Sequence, residues 1–342
     1  MSLKDTEIAD RLVGVYDSKQ DAQILNLVRV AGGWETDVYA FTLEHGPPDK
    51  RERGELILRL YPGDGSPDKA AREFNAMRRL YQAGYPVPQV LHLDQDGTLF
   101  GLPFVIMVKI EGRPLGAIVE ESPVEVRQKL LTQFCRMFVD LHALDWRPFA
   151  SDPWPDSALS LPKVIGDQLS GWQQILADLD MVEFDLVFDW LWERLPAITF
   201  THPSVIHGDY HGRNVLLQDD GAAYVIDWPN VAVSDYRTDL AWTLVLSSTY
   251  GQPDMRELIL GEYERIAGRP VKHLEFFDVM SCLRRLGSIM VSLQVGAGKA
   301  GMRPGAEDVM KDRVHIEQVY VCLRERTGLV IKEVERLLSG PK

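Results

Sequence analysis

The chain has 342 residues, 45% apolar and 25% charged, a balance that excludes global disorder, a collagen-like repeat and a coiled coil. Lysines and arginines number 37 against 50 aspartates and glutamates, a formal net charge of −13. The deficit concentrates in residues 140–193, which carry 2 basic and 11 acidic side chains, and a chain so poor in clustered Lys and Arg is not built to hold nucleic-acid phosphates.

The first twelve residues carry charges where a secretory leader would be apolar. The longest apolar run, residues 103–108, stops at Lys109, far short of the roughly 18 residues a membrane helix needs. Both features predict a cytoplasmic chain with no membrane partner. Residues 29–33, a glycine turn at Gly32-Gly33 and residues 38–43 read as strand, turn and strand. Residues 55–60 form another short strand, ended by Pro62-Gly63. A helix follows, with Ser66 as its N-cap, Pro67 at its first position and Gly84 as its stop. Its apolar stripe holds Ala70, Met77 and Leu80, and Glu73 falls on the same side. A carboxylate on a buried stripe is costly unless paired. Glu73 is therefore expected to meet a cation, and Arg59 on the preceding strand is the nearest; the alternative is that Glu73 sits at the stripe's margin.

Residues 87–93 and 102–110 complete a strand-rich part. Residues 111–114 break the pattern, and from 122 onward the chain is mostly helical, with residues 124–144, 172–195 and long stretches after 255 showing helical periodicity. A strand pair interrupts near 205–228. The fold class is α+β: a β-rich N-terminal lobe over 1–110 and a larger helical lobe over 111–342. Cys135, Cys282 and Cys322 lie far apart in sequence among apolar residues and read as buried free thiols of a reducing compartment. The acidic run reads either as a solvated helical surface or as a field that steers a cationic small molecule. Tryptophans beside it (Trp146, Trp154, Trp172, Trp190, Trp192) read as core, with one or two available to line a pocket.

The densest set of reactive side chains lies in residues 204–228. His207, Asp209, His211 and Asn214 stand between apolar strands at 215–217 and 224–226, joined through Asp220-Gly221. A two-residue turn there sets 217 opposite 224 and Asn214 opposite Asp227, with Cβ atoms roughly 5 Å apart. An amide oxygen and a carboxylate so placed can share Mg²⁺ at about 2.1 Å from each oxygen. Asp209, in a loop held by Gly208 and Gly212, points into the same space and is placed to take a proton from an acceptor hydroxyl. One acid/base aspartate, one asparagine and one metal-binding aspartate are the set that phosphoryl transfer requires.

The run His207-Gly208-Asp209-Tyr210-His211-Gly212-Arg213-Asn214 resembles the H-G-D-x-x-x-x-N catalytic loop of the aminoglycoside phosphotransferase/choline kinase family. Ile226-Asp227-Trp228 is similar to that family's counterpart of the kinase D-F-G, and residues 234–241 resemble its G-D-x-x-x-D-L-A element, with Ser234 in place of glycine. The resemblance covers roughly residues 25–250 and implies a bilobal protein-kinase-like fold. It implies ATP as donor, with GTP as an alternative, Mg²⁺, and a small-molecule hydroxyl acceptor: an aminoglycoside-like compound, an amino alcohol or a sugar. It further implies that Gly32 and Gly33 lie in the nucleotide loop, that Arg59 stands where relatives commonly carry a phosphate-contacting lysine, and that Glu73 is its helix partner. Met107, Lys109 and Ile110 would form the hinge, with backbone groups of Lys109 and Ile110 bonding adenine. Asp239 would brace the catalytic loop, and His207 reads as bracing it as well.

Two other readings compete. A kinase-like nucleotide-binding module with weak catalysis is suggested by Arg59 and the imperfect glycine loop. A binuclear metallophosphoesterase is suggested by Gly208-Asp209-Tyr210-His211-Gly212, but none of the eight histidines follows an asparagine and no two are spaced by one residue.

Overall fold

The computed structural model describes residues 5–30, 36–63, 65–150, 160–250, 254–296 and 312–339. They belong to two compact units, and the first break falls after Gly112. The first unit opens with helix α1 (Asp5–Val15), strands β1 (Gln23–Val30), β2 (Asp37–His45) and β3 (Glu52–Leu60), helix α2 (Ser66–Gln82), and strands β4 (Val90–Asp94) and β5 (Phe104–Val108). The five strands form an antiparallel sheet in the order β1-β2-β3-β5-β4. Tyr39, Phe41 and Leu43 alternate along β2, and Leu56, Leu58 and Leu60 along β3; the register sets Tyr39 opposite Leu58 and Phe41 opposite Leu56. This face joins Ile8 and Leu12 of α1 in one core. Two apolar residues at an i, i+4 spacing are a faint signal, and α1 is not legible in the sequence. The opposite parity of β3 sends Arg59 to the other side, where α2 buries Ala70, Glu73, Met77 and Leu80.

The start of α2 differs by one residue from expectation. Gly65, at φ 71°, is the cap residue and Ser66 is already helical, without a side-chain capping bond. The left-handed conformation open to glycine lets the turn begin one step earlier.

The second unit begins with the short strand β6 (Arg113–Pro114), then α3 (Leu115–Glu121), α4 (Val124–His142), α5 (Leu161–Ala177), α6 (Asp185–Arg194) and β7 (Ser204–Ile206). The helical run expected at 172–195 is broken. Leu179 and Asp180 amides turn back onto the carbonyls of Leu176 and Ala177, and Asp180 adopts φ 56°. A short polar side chain tolerates that conformation, so the Asp178-Leu179-Asp180 triplet separates α5 from α6. The chain continues through β8 (Val215–Leu217), β9 (Ala223–Val225) and β10 (Ala232–Ser234), then α7 (Tyr236–Tyr250), α8 (Met255–Ala267), α9 (Leu274–Val295), α10 (Arg313–Thr327) and α11 (Lys332–Ser339). Helix α9 buries Phe276, Phe277, Cys282, Leu283, Leu286 and Ile289 in a core shared with α5, α6, α7 and α10.

Residues Leu216–Pro229 cluster with the first unit, although the sequence pattern assigns them to the 111–342 lobe. The physical tie is specific: the Val225 amide donates to Pro86 O at 2.8 Å, and the Trp228 ring meets Tyr85 edge-on at 5.9 Å.

Candidate active site

In the second unit, β7 pairs antiparallel with β10, Ser204 opposite Ser234 and Ile206 opposite Ala232. This ladder launches the loop that carries His207 to Asn214. Asp239 on α7 is fully buried and accepts the His207 amide at 2.7 Å and the Gly208 amide at 2.8 Å. Two backbone donors on one carboxylate fix the loop's entry. His207 Nδ1 accepts the Asp209 amide at 3.1 Å, so both residues expected to brace the loop lie against its backbone. Gly208 has φ +78°, and a Cβ there would lie 2.8 Å from Asn230 Cβ and its carbonyl oxygen, which leaves no room for a side chain.

The Asp209 carboxylate is held from two sides. Trp242 Nε1 on α7 donates to Oδ1 at 2.8 Å, and His211 Nε2 lies 3.5 Å from Oδ2. Burial pushes this carboxyl up, but the His211 ring, the Trp242 indole and the charge of His207 outweigh it and hold it well below the usual carboxylate range. The side chain keeps 30% of its surface exposed. Arg284 of α9 donates to Gly208 O at 2.8 Å and lies 4.0 Å over the Trp242 ring. Asn214 Nδ2 donates to Asp209 O at 2.9 Å, which fixes the amide and turns its oxygen away from that bond. Sequence reasoning misses Trp242 and Arg284. Trp242 sits three residues past Asp239, and that i, i+3 spacing on one helix is the available signal.

In the first unit, Arg59 is the centre of a buried cluster. Nη1 donates to Glu73 Oε1 at 2.6 Å, and Nη2 donates to Asp227 Oδ1 at 2.8 Å and to Thr36 Oγ1 at 3.2 Å. Glu73, fully buried, also accepts from Tyr61 OH at 2.5 Å and from the Trp228 amide at 3.3 Å. Burial raises the Glu73 carboxyl; Arg59 opposes that shift and Asp227 adds to it. Burial would lower Arg59, but Glu73, Tyr61 and Asp227 hold its pKa above the usual range, so it stays a cation. Asp227 has φ 69° and 40% of its side chain exposed. Asp tolerates this left-handed backbone better than most residues.

The hairpin between β8 and β9 corrects the geometry expected from the sequence. The Gln218 amide donates to Ala222 O at 2.8 Å and the Gly221 amide to Gln218 O at 3.0 Å, with Gly221 at φ +89°. The loop is therefore three residues, Asp219-Asp220-Gly221, a turn followed by a left-handed glycine. The opposition of Asn214 to Asp227 that a two-residue turn dictates does not follow from it. Asp209 and Asn214 belong to the second unit and Asp227 to the first.

The donor chemistry fits Mg²⁺ in kind. Asn214 offers an amide oxygen with its NH₂ already bonded, and Asp227 offers a part-exposed carboxylate, both hard oxygen donors. No group of three His, Cys, Asp or Glu side chains that could hold a metal occurs among the described residues.

Gly32 and Gly33 lie outside the described residues. Met107 pairs with Ile57 in the sheet. The Lys109 amide donates to Glu55 O at 2.9 Å, which removes that N–H from the expected adenine contact and leaves the Lys109 carbonyl and Ile110 just beyond the strand. Asp167, Asp178, Asp185, Asp189 and Glu193 of the acidic run are exposed, the solvated-surface arrangement. Trp172, Trp190 and Trp192 pack against the second unit's core, and Trp154 lies outside the described residues.

An antiparallel sheet with a buried Arg–Glu pair, and a helical unit with a braced His-Gly-Asp loop, define a small-molecule phosphotransferase of kinase-like architecture. A sequence profile of the phosphotransferase enzyme family (APH) matches residues 26–274, and the chain belongs to that family. The structure is similar to a thermostable mutant of aminoglycoside phosphotransferase APH(4)-Ia in ternary complex with ADP and hygromycin B, with a TM-score of 0.60, 17% identity, and coverage of 89% of this chain and 97% of that one. It is similar to APH(2")-IIa in complex with gentamicin, with a TM-score of 0.61, 15% identity, and coverage of 98% and 99%. Among curated proteins, it is 27% identical over 203 residues to acyl-CoA dehydrogenase family member 10 of Mus musculus, covering 55% of this chain and 18% of that protein. It is 25% identical over 232 residues to family member 11 of Homo sapiens, covering 61% and 28%. The chain thus matches less than a third of the length of these relatives.

Proposed function

We propose that the protein transfers the γ-phosphoryl group of ATP to a hydroxyl of a small molecule. The observation that carries this reading is the Asp209 carboxylate, oriented by the Trp242 indole at 2.8 Å on a loop clamped by Asp239. In this reading Asp209 orients the acceptor O–H and takes its proton as the oxygen bonds phosphorus. Arg59, kept in place by Glu73, contacts nucleotide phosphates. Met107, Lys109 and Ile110 line the adenine side. Asn214 and Asp227 would hold Mg²⁺. When bound, the ion offsets charge on the phosphates during transfer. GTP is the alternative donor.

The acceptor class follows from the family and from the site only in part. Aminoglycosides, amino alcohols and sugars are the family's range. Among the described residues of the acidic run Asp167, Asp178, Asp185, Asp189 and Glu193 are exposed, and the Asp209 carboxylate contacts His211 and Trp242. The test is a screen of purified protein against hydroxylated amines, aminoglycosides and sugars, read as acceptor-dependent ADP release. A turnover that appears with one class and disappears in Asp209→Asn supports the reading; equal turnover in the variant overturns it.

The second reading, a nucleotide-binding module with weak catalysis, rests on the Arg59–Asp227 ion pair at 2.8 Å, which occupies one oxygen of the carboxylate assigned to the metal. Tight ATP binding without acceptor-dependent ADP release would favour it.

A further inference from the structure

Helix α7 holds the loop at 207–214 from one side. Asp239 accepts the His207 and Gly208 amides, and Thr243 Oγ1 donates to Tyr210 O at 2.6 Å. Trp242, on the same helix, is buried and donates to Asp209 Oδ1 at 2.8 Å. The peptide that joins Gly208 to Asp209 is fixed by other groups. Its N–H donates to His207 Nδ1 at 3.1 Å, and its carbonyl accepts from Arg284 Nη1 of α9 at 2.8 Å.

That peptide needs fixing. Gly208 stands at φ +78°, and a glycine passes readily between backbone conformations. Rotation of the peptide after it changes ψ of Gly208 and φ of Asp209, and so re-aims the Asp209 side chain. A guanidinium donor on the carbonyl opposes this rotation with a charge-assisted bond, roughly twice as strong as a neutral one. The same guanidinium lies 4.0 Å over the Trp242 ring. A cation over an indole face is attracted to the ring and draws electron density from it. It therefore holds the ring plane and makes the Nε1–H a stronger donor to Asp209. One side chain thus acts on both the backbone and the indole that aim a single carboxylate.

We propose that Arg284 is a positioning residue for phosphoryl transfer: it fixes the Gly208–Asp209 peptide and the Trp242 indole in one arrangement, which points the Asp209 carboxylate at the attacking O–H. The proposal rests on the phosphotransfer reading above. Arg284 acts through Asp209, so its loss lowers turnover and leaves ATP affinity in place. Lysine keeps the charge and a donor but not the flat fork that bonds a carbonyl while it stacks on a ring, so it replaces arginine only in part.

The test compares the wild-type chain with Arg284→Leu and Arg284→Lys in three measurements. These are ADP release from ATP and Mg²⁺ with water as the acceptor, ATP affinity by calorimetry, and the Trp242 indole N–H resonance in protein labelled with ¹⁵N-tryptophan. That resonance is assigned by its absence in Trp242→Phe. In Arg284→Leu, ADP release should fall at least tenfold while ATP affinity stays within twofold. The Trp242 N–H should move upfield and exchange with solvent at least tenfold faster. Arg284→Lys should fall between wild type and Arg284→Leu in both rate and exchange. A wild-type rate in Arg284→Leu overturns the proposal, as does an unmoved Trp242 resonance. So does an ATP affinity that falls as far as the rate, or an Arg284→Lys variant no better than Arg284→Leu. A wild-type chain that binds ATP and releases no ADP with any acceptor fails the phosphotransfer reading; the Trp242 resonance, which needs no turnover, separates that failure from a failure of Arg284 to hold the indole.

Discussion

Asp227 and Asp209 are both ordered, part-exposed carboxylates, yet they are held by opposite means. Asp227 is gripped by a cation, Arg59, which is itself pinned by buried Glu73. Asp209 is oriented by a neutral indole N–H and lies near the His211 ring. A cation neutralises part of the charge it holds, and a metal at Asp227 would share that carboxylate with Arg59. A neutral donor fixes direction and leaves the negative charge in place, which suits a residue that must receive a proton. In the proposed function the difference separates the cluster assigned to phosphate and metal from the residue assigned as acid/base.

The comparison breaks most sharply at Asp209. Asp209→Ala should lower kcat on the order of 10³-fold, within the usual range for a general base, while ATP affinity measured by calorimetry stays unchanged. In the other cluster, Glu73→Gln should leave Arg59 and Tyr61 without their carboxylate partner. Thermal unfolding should show a loss of about 3 kcal/mol, together with weaker nucleotide binding. Trp242→Phe keeps the ring and removes the N–H, a charge-assisted hydrogen bond typically worth about 1.5–3 kcal/mol; kcat should fall by roughly tenfold to a hundredfold with KM for ATP unmoved.

The pH response distinguishes the two carboxylates further. Asp209 is held well below the usual carboxylate range, so its proton-accepting form persists through mildly acid solution. Its stabilising effect is complete above the unfolded value of about 3.9 and is lost as pH falls through the lower folded value. The acid limb of kcat should therefore not reflect an ordinary carboxyl. In Trp242→Phe one of the lowering contacts is gone, so the Asp209 pKa rises and the limb moves to higher pH in a kcat–pH profile. The smallest effect concerns the hairpin. Gly221→Ala, at φ +89° with open space around it, should cost about 1 kcal/mol in thermal unfolding without changing kcat.

Periodicity makes the Arg59–Glu73 pair legible, because a carboxylate on the buried stripe of α2 needs a cation and Arg59 is the nearest on the preceding strand. The braced loop is legible from the resemblance of residues 207–214 and 234–241 to the family's motifs. Turn chemistry is not. Asp220-Gly221 signals a two-residue reversal, but Gly221 closes a three-residue loop, and one residue of slip changes every opposition along the strands. Trp242 and Arg284 stay hidden because a tryptophan on an apolar helix reads as core and an arginine on α9 as surface. Only the folded unit shows that both converge on the loop at Gly208 and Asp209.

The most direct test is a single-turnover measurement with ATP labelled in its γ-phosphate, Mg²⁺ and the acceptor found in the screen. Wild-type protein should pass the label to the acceptor hydroxyl, and Asp209→Asn should bind ATP equally well and transfer nothing measurable. Label transfer at the wild-type rate in that variant would contradict the assignment of Asp209 as the base.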